Sequence, residues 1–157
     1  MAAAIRIERD PAWWVAVAAH PAVKDSLLGL APEAVGALCQ RADMLPLAAA
    51  HGGFLFAAID ALGFMVELHT LFTPEGWGRE AASAGKLALE AVFADGRRLV
   101  TTFEVAGQPR SRPPLSFGFA PAGAWRDTPI GPLRLWSVSA AAWDASPARR
   151  RLRPQQD

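Results

Sequence analysis

The stretch VELHTLFTPEGWGREAASAG, Val66 to Gly85, decides how the chain is read. Glu67 and His69 sit inside an apolar run that breaks at Pro74, passes Gly76 and Gly78, and enters an alanine-rich segment. Read as a strand, Glu67 and His69 point the same way with Met65 and Leu71 as neighbours, and Phe64, Val66, Leu68 and Phe72 form the opposite, more apolar face. From Gly78 to Asp95 the residues are helix formers, with Ala81, Ala84, Ala88 and Val92 along one side and Gly96 as a C-terminal stop. Such small residues let a helix lie close to a sheet. RRLVTTFEV then reads as the next strand, and strand, helix, strand is a right-handed crossover that sets two parallel strands side by side.

Upstream, HGGFLFAAIDALGFMVELHTLF reads as two antiparallel strands around a turn at Asp60 to Gly63, where Gly63 supplies the positive φ. AIRIER, residues 4 to 9, alternates like a short strand with one buried face. Asp10-Pro11 then opens a helix whose one face carries Trp13, Trp14, Val17 and Ala18, ending at His20-Pro21. A second helix starts near Pro32 and carries Val35, Leu38, Cys39 and Leu45 before Pro46 disturbs it. Downstream, GQPRSRPP is a loop or short helix start. The remainder to Ser139 reads as two strands joined by a hairpin near Thr128 to Gly131. The fold class is therefore α/β, a mixed and mostly antiparallel sheet flanked by helices. With one clear crossover helix it is not a doubly wound dinucleotide fold.

The 157 residues suit one domain, expected over 1–147, and 52% hydrophobic residues can build one core. The formal charge of +1 owes its sign to Arg149, Arg150, Arg151 and Arg153; without them the body is slightly acidic. Residues 148–157 are expected to be a basic, disordered tail, and nothing else points to nucleic acid. The single cysteine, Cys39, excludes an intrachain disulfide and reads as a buried thiol. His20 and His51 look isolated, so no metal site is expected. The start shows no charged n-region followed by an apolar run and no apolar stretch approaches the length of a membrane helix, so a cytoplasmic location is expected.

A strand, a glycine turn and a helix N-terminus together expose backbone N–H groups and a partial positive charge suited to a phosphate. By itself the G-x-G spacing is equally a plain strand-to-helix turn. LFTPEGWGREA, with the following helix, the next strand and RSRPPLSFGFAPAGAW, resembles the acetyl-CoA core of the GNAT acyltransferase superfamily. There an R/Q-x-x-G-x-G/A loop precedes the helix, an N-x-x-S segment follows the next strand, and a G-F pair precedes a late strand. Gly76 and Gly78 match the loop, Ser111 the serine, and Gly118-Phe119 the late pair. The stretch Glu67 to Gly78 is similar to an E-x-H-T-x-F-x-P-E-G-x-G run of GNAT-like proteins in bacterial and phage genomes. The resemblance spans roughly residues 51 to 145. It implies a GNAT-like acyl-CoA-binding fold, acetyl-CoA or another acyl-CoA as cofactor, and a cofactor site over Leu71, Phe72, Thr73, Gly76, Trp77, Gly78 and Arg79, with Gln108 and Ser111. Thr73 replaces the R/Q residue, Gln108 the asparagine, and the chain has no tyrosine to protonate a departing thiolate.

In that superfamily the strand carrying Glu67 and His69 admits the pantetheine arm, and acid/base residues lie along it. Acyl transfer to an amine requires the ammonium to lose a proton, and either side chain can be tuned for that work. Glu67 is the candidate base and His69 the residue that orients it or a water; the alternative is a pair that only satisfies a half-buried strand. Trp77 could cover the cofactor or pack, and Glu104 is a reserve base. The expected activity is N-acetyl transfer to an amine of a small molecule or protein. The alternative is a catalytically silent structural or interaction module, possible in a phage particle. The tryptophan-bearing late strands could supply the apolar edge of a homodimer.

Overall fold

A computed structural model describes residues 4–24, 27 and 29–152. In chain order the elements are β1 (Arg6–Ile7), α1 (Pro11–Ala19), α2 (Pro21–Lys24), α3 (Pro32–Leu38), β2 (Met44–Ala48), β3 (Gly52–Ala58), β4 (Met65–Phe72), α4 (Arg79–Ala94), β5 (Leu99–Val105), β6 (Ala120–Pro121), β7 (Leu133–Ser139), α5 (Ala140–Asp144) and α6 (Pro147–Arg150). Single 3-10 turns occupy Pro74–Gly76, Pro109–Ser111 and Leu115–Phe117. Seven strands hydrogen-bond in the order β1-β2-β3-β4-β5-β7-β6. The pairs β1–β2, β2–β3, β5–β7 and β6–β7 are antiparallel, and β4 and β5 run parallel across the α4 crossover. This is the mixed sheet the hydrophobic pattern calls for.

Contacts divide the chain into two compact units: the described residues of Met1–Ala58 with Leu68–Ala88, and Ile59–Glu67 with those of Leu89–Asp157. In the first, Asp10 caps α1 by accepting from the Ala12 N–H at 2.9 Å, and Pro11 fills the first turn. Trp14, Val17 and Ala18 are buried beside Val35, Cys39 and Met44. The Cys39 thiol donates to Gly36 C=O at 2.9 Å, and burial raises its pKa, which makes it a structural residue.

Two expectations for this unit need correction. β1 is only two residues long and Ile7 is 60% exposed, so the alternation of residues 4 to 9 buries no continuous face. Leu45 and Pro46 lie in a strand rather than at the end of a helix. On a strand the N–H and C=O of one residue point the same way, and Pro46 C=O faces β1, where it accepts from Glu8 N–H at 3.1 Å. Its missing N–H therefore costs the β2–β3 ladder nothing. Glu8 C=O instead accepts the Trp14 indole N–H at 2.8 Å. Arg9 fixes the turn into β2, its guanidinium donating to the carbonyls of Cys39, Arg41 and Met44 at 2.9, 3.2 and 3.1 Å.

In the second unit, Asp60 closes the β3–β4 turn by accepting from Met65 N–H at 2.7 Å, and Gly63 adopts φ +69°. Phe64 lies exposed beside this turn rather than on a buried strand face. β5 pairs with β7 along its whole length, from Leu99↔Ser139 to Val105↔Leu133. Trp136, Val138 and Trp143 are buried, whereas Trp125 is 43% exposed and so is not a core residue. α5 and α6 are additions to the elements read from the sequence. Ser139 and Ser146 cap them, each hydroxyl accepting a backbone N–H at 3.1 Å. The expected disordered tail is thus corrected over residues 148–150: Arg149 is bound to Glu90 through two 2.7 Å hydrogen bonds. Its last five residues lie outside the described ones.

Candidate acyl-donor site

β4 pairs with β5 over Met65↔Leu99, Val66↔Val100 and Glu67↔Thr101, then continues to Phe72. Glu67 and His69 are both half-buried on this strand. The strict alternation expected for β4 stops at its end, where Leu71 and Phe72 are both buried. Phe72 packs edge-on against Phe54 with ring centroids 5.2 Å apart. This packing fixes where the chain leaves the sheet.

The segment that follows is tied down internally. Thr73 N–H donates to His51 C=O at 3.0 Å and its hydroxyl does so at 3.2 Å. Gly76 N–H donates to Thr73 C=O at 3.0 Å, and Trp77 N–H to Pro74 C=O at 3.3 Å. The Trp77 indole N–H donates to Phe72 C=O at 3.0 Å, so the half-buried ring folds back on its own segment. That hydrogen bond favours the packing role for Trp77.

The two glycines have different reasons to be glycine. A Cβ on Gly76 would lie 2.7 Å from Phe72 Cδ1 and 3.0 Å from His51 Cβ, so this residue is required by packing. Gly78 has φ +75° with no atom within 4 Å of an added Cβ. It opens α4, whose first intrahelical bond runs from Ala82 N–H to Gly78 C=O at 2.9 Å. The amides ahead of that bond have no acceptor within the helix, and the adjoining Arg79 is exposed. An exposed glycine, a helix N-terminus and a cation are the features that suit an anion.

His51 is not isolated. Its backbone N–H donates to Glu80 Oε1 at 2.9 Å and its Nδ1 lies 2.7 Å from Glu80 Oε2. The Glu80 hydrogen bond and charge raise the imidazole pKa, with Glu75 adding to the effect. Sequence inspection missed this pair because its members are 29 residues apart.

Gln108 and Ser111 lie together in the second unit, in the 3-10 turn after β5. Ser111 Oγ accepts from Val105 N–H at 2.7 Å and lies 2.7 Å from Gln108 C=O, so its hydroxyl closes the strand end. Gln108 is exposed. Glu104 binds the Trp136 indole N–H at 2.8 Å, which gives the reserve base a structural partner. Among the described residues no group of three or more His, Cys, Asp or Glu is placed to hold a metal, and no helix is long and apolar enough to cross a membrane.

No protein-family profile matches the chain, and no curated protein matches it by sequence. Solved structures do match its fold. Spermidine N-acetyltransferase from Vibrio cholerae, in complex with CoA and spermine, is similar over 90% of this chain and 98% of its own at 12% identity, with a TM-score of 0.73. RimJ of Mycobacterium smegmatis, in complex with CoA-disulfide, covers 94% of this chain and 87% of its own at 17% identity and a TM-score of 0.70. AAC(6')-Ib, in complex with paromomycin and acetyl-CoA, covers 92% of this chain and 97% of its own at 15% identity and a TM-score of 0.69. The α/β architecture is thus the fold of the GNAT acetyltransferases.

Proposed function

We propose that the chain is an acyl-CoA-dependent N-acyltransferase that moves an acetyl group from acetyl-CoA to an amine of a small molecule or protein. One observation carries the reading: on this fold, β4 leads through the Thr73–Trp77 segment to an open, positive-φ Gly78 at the N-terminus of α4. The matched acetyltransferase structures, solved with CoA or acetyl-CoA, support the same cofactor.

Bound acetyl-CoA would supply a thioester activated toward attack by nitrogen. The amides at the start of α4, with Gly78 and Arg79, would hold the diphosphate, and the segment from Leu71 to Trp77 would set the approach of the pantetheine arm. The Leu71 backbone N–H would polarise the carbonyl. Glu67 would accept the proton of the acceptor ammonium, directly or through a water that His69 orients. Gln108 and Ser111 belong to the proposed cofactor site by family likeness. A cytoplasmic home, where acetyl-CoA is available, and homodimerisation through an apolar edge of the late strands, where Trp125 is exposed, complete the proposal.

A second reading is a GNAT-like structural or interaction module, proposed as phage-related on the likeness of the Glu67–Gly78 run, and its lack of turnover is favoured by one observation. The chain contains no tyrosine, and Thr73 and Gln108 stand where the family carries other contacts. Calorimetric titration with acetyl-CoA separates the two. The wild type should bind, and Gly78→Glu should not, because its carboxylate opposes the diphosphate; circular dichroism checks that this variant folds. Absence of binding to acetyl-CoA and longer acyl-CoAs would leave the second reading standing.

A further inference from the structure

His51 touches the proposed diphosphate segment at its entry, middle and exit. At the entry its carbonyl accepts from Thr73 N–H and Oγ1 at 3.0 and 3.2 Å. In the middle, Gly76 lies so close that an added Cβ would stand 3.0 Å from His51 Cβ. At the exit its N–H and imidazole bind the two oxygens of Glu80 at 2.9 and 2.7 Å. A segment fixed at both ends presents its amides without first losing conformational freedom, which favours binding.

Glu80 suits the first turn of α4 as a helix but opposes an anion there. We infer that His51 is a positioning residue for acyl-CoA: it shapes the 73–80 segment, and its imidazolium offsets the Glu80 carboxylate, so the protonated protein binds the diphosphate more tightly. This inference rests on the proposed acyl-CoA site.

The ionisable groups bearing on His51 are Glu80 on α4 and Glu75 in the 3-10 turn, and His20 at the end of α1 interacts with Glu75 in turn. Both carboxylates raise the imidazole pKa. The imidazolium is therefore fully present below about pH 6.5 and is lost as pH rises through the raised value. A neutral imidazole protonated at Nδ1 still donates to Glu80, so the geometry persists while the compensating charge disappears.

The test is calorimetric titration with acetyl-CoA from pH 6 to 8.5 for the wild type and His51→Asn, whose amide can donate to Glu80 as Nδ1 does but carries no charge. Over this range the wild type should lose roughly three- to ten-fold more affinity than the variant, the size expected for one partly screened charge. The pH dependence left in His51→Asn belongs to the ligand's own phosphates and to the protein's other ionisable groups. In ligand-free protein, the Gly78 and Arg79 amide resonances should shift with the His51 ring titration. Parallel affinity profiles, or amides indifferent to His51, would overturn the inference while leaving acetyl-CoA binding intact. If neither protein binds acetyl-CoA at any pH, the acyl-CoA reading fails and this inference fails with it.

Discussion

Each buried tryptophan gives its indole N–H an acceptor: Trp14 uses Glu8 C=O, Trp136 uses Glu104 and Trp143 uses Glu90, at 2.8, 2.8 and 3.0 Å. Carboxylates in this chain therefore have separable work, and substitution distinguishes it. Glu104→Ala would strand the Trp136 donor and should cost about 1–3 kcal/mol in denaturant melts, while Glu104→Gln keeps an acceptor and stays near the wild type. Glu67→Gln should leave acetyl-CoA affinity unchanged but lower kcat by roughly 10²- to 10⁴-fold. Wild-type turnover in Glu67→Gln would remove Glu67 from the proton-transfer role. Melts of the Glu104 variants and kcat of Glu67→Gln thus read the two kinds of work by different measurements.

Among the elements, β3 shows how tightly the first unit is assembled. An added Cβ on Gly53 would lie 2.3 Å from Leu47 O, 2.9 Å from Ala48 Cα and 2.9 Å from Trp14 Cη2. Two of those atoms are backbone, which cannot swing aside. Gly53→Ala should therefore cost about 3 kcal/mol and lower the melting midpoint by roughly 6–12 °C. Gly123→Ala, with no atom within 4 Å, is the control and should melt with the wild type. The sequence shows little of this, because a glycine between strands looks the same whether it serves a turn or a close approach. It does show the β4, α4, β5 crossover, whose alternation, small helix face and terminal Gly96 are all local signals. β2 was hidden by Pro46, whose lost donor matters only on the β1 side. The His51–Glu80 pair was hidden by its sequence separation, whereas Glu67, His69 and Gly78 were visible because they share one strand and turn.

At the scale of the whole molecule, the chain is closed by residues that composition alone assigns to solvent. Ser146 and Ala148 are buried, and α6 packs against the Leu115–Phe117 turn. Phe117 meets Trp143 edge-on at 6.0 Å. Arg149 binds Glu90 through two hydrogen bonds, and its Nη1 lies 2.8 Å from Asp144 Oδ1 as an ion contact outside hydrogen-bond geometry. Glu90 also accepts the Trp143 indole, so one carboxylate joins α4, α5 and α6 within the second unit. A run of arginines looks like a nucleic-acid arm only while each guanidinium lacks an assigned partner. Deleting residues 147–157 should remove the α6 contacts and the partner of Glu90, lowering the melting midpoint by several degrees. Arg149→Ala should reproduce part of that loss, about 1–2 kcal/mol, because Glu90 is partly solvated and keeps Trp143. A deletion that melted like the full chain, but abolished a salt-sensitive gel shift, would return the segment to the role of a basic arm.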